Sequence, residues 1–186
     1  YYGIGVISDN EAQPLMVKSH LGAFAICTVG RINNLDELTK LCFDKGVTHF
    51  LETSSGDINP TELVASLINH KETFEEGLEY VQDMVDGSMS VLVLTNKGIY
   101  ASRDKYGRTP LVIGKKDSGY CMTFESSAFL NLGYTHYKDL GPGEIVFVDG
   151  NQCTTLKEAG EEMKICSFLW VYYGYPSSSY EGISVE

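Results

Sequence analysis

The chain has 186 residues and a formal charge of −11, with 43% hydrophobic and 21% charged residues. That balance belongs to a globular domain, and a chain of this length buries roughly 70% of its unfolded surface around one core. A net negative chain does not attract phosphate backbones or anionic lipid, and no apolar run approaches the ~20 residues of a membrane span, so neither nucleic acid nor membrane is an expected partner.

In chain order, residues 3–8 read as a short buried strand and residues 22–32 as a second. Asn34 is placed to cap a helix whose first turn carries Asp36 and Glu37, where the helix dipole favours acids. Asn59 followed by Pro60 marks another helix start, with Leu63, Leu67 and Ile68 at helical spacing. Residues 73–85 repeat that spacing with Phe74, Leu78, Val81 and Val85, and Asp86-Gly87 ends the helix.

Residues 89–95 form a near-continuous apolar run, the pattern of a strand covered on both faces. Asn96-Lys97-Gly98 turns the chain, and residues 99–103 return as its hairpin partner. Further strands are expected at 111–114, 120–125, 145–148 and 165–173. Trp170, Tyr172, Tyr173 and Tyr175 in the last of these read as core or interdomain packing. Helices in the first half and hairpins in the second predict an α+β fold with helices packed on two stacked sheets.

The five cysteines, Cys27, Cys42, Cys121, Cys153 and Cys166, are odd in number, contain no CxxC and have no His at ligand spacing. They are expected to be free thiols in a reducing cytoplasm, with no metal site and no cofactor. Glu158, Glu161 and Glu162 read as a solvated turn. There is no leader-like start. The chain opens Tyr1-Tyr2-Gly3 without Met and stops at Glu186 without a terminal turn, so it is expected to be a piece of a longer protein.

Three ordered segments carry more. The first is Arg103-Asp104-Lys105-Tyr106-Gly107-Arg108-Thr109-Pro110-Leu111. The second is Glu125-Ser126-Ser127-Ala128-Phe129, followed by Leu140-Gly141-Pro142-Gly143-Glu144-Ile145. The third runs from Cys166 through Trp170 to Pro176. On chemistry alone, Arg103 and Asp104 can pair and orient the following turn, and Arg108 can pair with Asp104 or Glu125. All three charges are expected to be scaffold.

Together with Glu11-Ala12-Gln13-Pro14, this set resembles the glutaminase domain of amidophosphoribosyltransferases, the class II glutamine amidotransferases of purine synthesis. The family's corresponding stretches read RDPxGxRPL, SETxAL with GPGE, CxFExVYFARPDS and AQP. The resemblance spans nearly the whole chain. It implies a four-layer αββα N-terminal-nucleophile hydrolase sandwich, truncated at its N-terminus, with a phosphoribosyltransferase domain beyond the C-terminal end.

The resemblance also implies what the chemistry needs. An amino-terminal Cys attacks the glutamine amide with its own α-amine as base. An Asn side chain and the N–H of the next Gly hold the oxyanion, and an Arg and an Asp clamp the amino-acid end. The family's AHNGN falls on Cys27-Thr28-Val29-Gly30-Arg31, so Gly30 remains and Val29 replaces the Asn. GHVRYST best matches Gly5-Val6-Ile7-Ser8-Asp9, with Ser8 at the Arg position, and no Arg precedes Arg31. SDTE falls on Asn59-Pro60-Thr61-Glu62, with Pro60 at the Asp position and Asp57 nearby as a possible stand-in.

No Cys precedes Cys27, which lies mid-strand without a free α-amine; His20 and His49 are the nearest histidines in sequence. The implied reading is a glutaminase-type domain without competent glutaminase residues. It would be a structural or regulatory module packed on a phosphoribosyltransferase domain, with homo-oligomer assembly left open and competent glutamine binding not expected. Two alternatives stay open: an active amidotransferase whose nucleophile lies in an upstream segment, and an N-terminal-nucleophile hydrolase for another amide.

Overall fold

The computed structural model describes residues 1–8, 11–51, 53–54 and 57–186. β1 (Leu15–Ser19) and β2 (Gly22–Ile32) form an antiparallel hairpin. Then come α1 (Leu35–Asp44), the two-residue strands β3 (Thr53–Ser54) and β4 (Asp57–Ile58), α2 (Pro60–Ile68) and α3 (Phe74–Met84). The second half holds β5 (Gly87–Leu94), β6 (Ile99–Ser102), β7 (Val112–Lys116), β8 (Gly119–Thr123), α4 (Ser127–Leu132), β9 (Thr135–Asp139), β10 (Ile145–Val148) and β11 (Cys153–Lys157). A π-helical turn at Leu169–Tyr173 and the short pair β12 (Ser179–Tyr180) and β13 (Ile183–Ser184) complete the chain.

A six-stranded antiparallel sheet in the order β1-β2-β5-β6-β10-β11 faces a three-stranded sheet in the order β8-β7-β9. Phe24 and Ile26 of β2 and Met89, Val91 and Val93 of β5 point to the helical side, where they pack with Leu38, Leu63, Leu67 and Leu78. The opposite side packs Leu92, Ala101 and Val146 against Leu111, Ile113 and Met122. On the outer face of the smaller sheet, Gly114 lets the Phe129 ring of α4 lie on the β7 backbone, where a Cβ would stand 2.8 Å from the ring. The layers are therefore α, β, β and α, the fourth being the single short helix α4.

Local chemistry explains the boundaries. Asn59 Oδ1 accepts from the Thr61 amide at 2.9 Å, capping α2 with Pro60 in its first turn. Thr73 Oγ1 caps α3 by accepting from the Glu76 amide. Asn34 precedes α1 as expected, but its side chain does not cap that helix. It donates instead to Met84 O and accepts from the Asp86 amide, tying the start of α1 to the end of α3.

Two expected strands are absent. Residues 3–8 join no ladder, and they are mostly exposed. The stretch 165–173 is not extended: its aromatic part winds into the π-helical turn, closed by Gly174 N–H donating to Leu169 O at 2.7 Å. β-branched and aromatic residues favour strands only where a neighbouring strand accepts them, and here the turn leaves Val171, Tyr172, Tyr173 and Tyr175 exposed.

Gly30 pairs with Met89 across β2 and β5. A Cβ there would sit 2.0 Å from the Ser88 carbonyl oxygen. Gly30→Ala is expected to cost about 2–4 kcal/mol, because backbone rather than a mobile side chain must give way. The check is the urea midpoint of unfolding; an unchanged midpoint would contradict this packing.

Candidate functional site

A cavity of about 470 Å3 lies between the sheets. Alternation along β2 sends Phe24, Ile26 and Thr28 toward the helices and Cys27 and Val29 toward this cavity. Leu92, Leu111, Met122 and Phe124 supply most of the remaining wall, and residues 5–7 cover one side. The lining is chiefly hydrocarbon.

Its polar side chains are already engaged. Ser90 Oγ donates to Thr109 O at 3.1 Å. Thr28 Oγ1 is 2.7 Å from Thr61 Oγ1 on the helical side, and the Thr28 amide donates to Gln13 Oε1 at 2.8 Å. Glu125 accepts from the hydroxyls of Ser178 and Tyr180, each at 2.5 Å. Val29 presents only methyl groups to the space beside Gly30.

The structure separates the positions that the family would bring together. Val29, Gly30 and Cys27 are neighbours on β2. Ser8 is exposed, its Oγ accepting from the Glu11 amide at 3.1 Å, and it does not line the cavity. Asp9, at the end of the same matched stretch, lies outside the described residues. Pro60 is the first residue of α2, and Asp57 is exposed on β4; neither lines the cavity.

Arg103, Asp104 and Arg108 do not pair as their charges suggested. Arg103 is fully buried and donates to the carbonyls of Thr109 (3.1 Å), Gly107 (2.6 Å) and Leu140, while Nη2 meets Glu181 Oε1 at 2.7 Å. Asp104 accepts from the amides of Tyr106, Arg108 and Thr109, between 2.9 and 3.1 Å. Arg108 donates to Gly87 O at 3.1 Å and stacks over the Tyr106 ring. Asp104 is satisfied by backbone amides, and Arg103 by three backbone carbonyls together with the Glu181 carboxylate, so neither needs the other as a partner.

The Glu125 partners had no sequence signal, since Ser178 and Tyr180 lie 53 and 55 residues further on. Glu158, Glu161 and Glu162 are exposed. Among the described residues no group of three His, Cys, Asp or Glu could hold a metal ion, and no helix is long and apolar enough to cross a membrane.

Burial pushes the Cys27 thiol up to about 11. No imidazole offsets this: His20 donates to Lys71 O, and His49 shares a hydrogen bond with Thr48. A thiol with a raised folded value contributes stability that is complete below its unfolded value, about 8.5, and is lost as pH rises toward the folded one. Compared with Cys27→Ala, the protein is expected to lose on the order of 2 kcal/mol between about pH 8 and pH 10. Urea titrations of both at each pH check this; equal pH dependence would place the thiol in a wetter, more acidic setting.

Residues 3–131 match the family model of the glutamine amidotransferase domain. Across 94% of its length the chain is 31% identical to the amidophosphoribosyltransferase of Archaeoglobus fulgidus, and across 96% it is 34% identical to that of Pyrococcus horikoshii. It spans 38% and 39% of those relatives. The glutamine phosphoribosylpyrophosphate amidotransferase of B. subtilis, solved with ADP and GMP, superposes with a TM-score of 0.82 at 26% identity, over 94% of this chain and 38% of that one. A second solved structure, of an allosteric regulatory enzyme of purine biosynthesis, shares the fold with a TM-score of 0.83 at 24% identity, over 96% of this chain and 38% of that one. The four-layer sandwich is thus that of the N-terminal-nucleophile hydrolases, and the chain belongs to the glutamine amidotransferase domain family.

Proposed function

We propose that this is the glutaminase-type domain of an amidophosphoribosyltransferase-like protein of purine synthesis, and that it has lost glutamine hydrolysis. In this role it is a structural or regulatory module beside a phosphoribosyltransferase domain. The observation that carries the reading is Val29, a hydrocarbon side chain next to Gly30 on the cavity wall.

Amide cleavage by a thiolate builds negative charge on the former carbonyl oxygen. Losing one donor to that oxygen costs ~10²–10³-fold in rate. Valine has no donor to offer in any rotamer, and the polar side chains of the wall are committed to other partners. Cys27, the one thiol on the wall among the described residues, is held protonated by burial. The exposed Val171 and Tyr172 of the aromatic turn, with Tyr175 just beyond it, suit packing against the transferase domain.

The test is ammonia release from L-glutamine by the full-length protein. No turnover above background is expected, and Val29→Asn alone is expected not to restore it, because a donor without a thiolate completes no reaction. Robust turnover blocked by a glutamine-analogue electrophile would overturn the proposal and place a working nucleophile upstream of Tyr1.

A further inference from the structure

We propose that a second cavity, at the end of β2, binds a small monoanion with an aromatic or apolar body, and that Arg31 is its charge partner. This cavity has a volume of about 340 Å3, within the range of small-molecule sites. It lies where Val29, Gly30 and Arg31 meet the Arg108 turn and the segment from Cys166 to Tyr173.

Its charge is one-sided. The chain carries 25 acidic residues, yet among the described residues no Asp or Glu lines this space, whereas Arg31 and Arg108 both do. Arg31 is exposed, stands on the same face of β2 as Cys27 and Val29, and makes no ion pair among the described residues. Arg108 uses Nη1 on Gly87 O and leaves its other donors available. A planar guanidinium presents paired donors to a carboxylate, and such charge-assisted bonds are roughly twice as strong as neutral ones.

The rest of the wall favours a ring or a branched chain over a simple inorganic ion. Phe124, Phe168 and Tyr173 supply aromatic faces. Val29 and Phe124 also line the cavity between the sheets. The apolar part of a ligand anchored at Arg31 therefore has a largely hydrocarbon space to extend into. The Val29 side chain that leaves an oxyanion unsupported is, for this ligand, part of the wall.

The test is ligand-observed NMR titration of the full-length protein with 3-phenylpropionate, its neutral isostere 3-phenylpropionamide, and propionate. Saturable binding is expected for the first, with the amide and propionate at least about tenfold weaker. Arg31→Gln is expected to weaken 3-phenylpropionate about tenfold, while Lys116→Gln, remote from the cavity, leaves it unchanged. Arg31 is exposed, and an unchanged circular dichroism spectrum of the variant shows that its fold is intact. Equal binding of acid and amide, an unaffected Arg31→Gln, or no saturation up to about 20 mM would overturn the proposal. Glutamine turnover plays no part in this readout, so its outcome is independent of whether hydrolysis survives.

Discussion

The fold turns on the buried guanidinium of Arg103. A cation removed from water persists only when its donors find fixed acceptors. Here three carbonyls, from Gly107, Thr109 and Leu140, and one carboxylate, from Glu181, supply them. Those acceptors come from the turn after β6, the loop before β10 and the end of the chain. Asp104, next in sequence, gathers the amides of the same turn. Gln82 of α3 adds bonds to Ser102 Oγ, Arg103 O and Gly143 O. The helical layer, the loops that follow β6 and precede β10 and the C-terminal segment thus meet at one polar knot.

This division of labour separates architecture from chemistry. Arg103 and Asp104 grip backbone, Gly30 admits the close approach of β5 and Glu125 holds the Ser178 and Tyr180 hydroxyls, jobs that need no substrate. Gly30 is required by the approach of β5 whether or not its N–H ever faces an oxyanion. On the proposed reading, a glutaminase-type sandwich keeps its form with Val29, Ser8 and Pro60 at the positions where the resemblance puts an Asn, an Arg and an Asp. The constraints on the scaffold and those on the reaction fall on different atoms.

Much of this was legible in the sequence, for identifiable reasons. β5 was recognised because a strand covered on both faces is a near-continuous apolar run, and α2 because Asn59 and Pro60 write a helix start without tertiary help. The layer order followed from the ordered motifs and their resemblance, and neither composition nor spacing alone supplied it. Elsewhere local pattern misled. Residues 3–8 look like a strand but find no partner strand, and the aromatic residues near Trp170 look like one but wind into a turn under the constraint of Gly174. The charges at 103–108 were read as scaffold, and the backbone carbonyls and amides they meet were not foreseen, because backbone groups carry no sequence signature. Glu125 and Tyr180 meet only through the fold.

The account comes down to whether any thiol in the protein can attack a glutamine-like electrophile at the site beside Val29. The most direct measurement is intact and peptide mass spectrometry of the full-length protein after incubation with 6-diazo-5-oxo-L-norleucine at neutral pH. An unmodified mass, with Cys27 recovered as a free thiol, is the predicted result. A stoichiometric adduct on Cys27, or on a cysteine upstream of Tyr1, would contradict it.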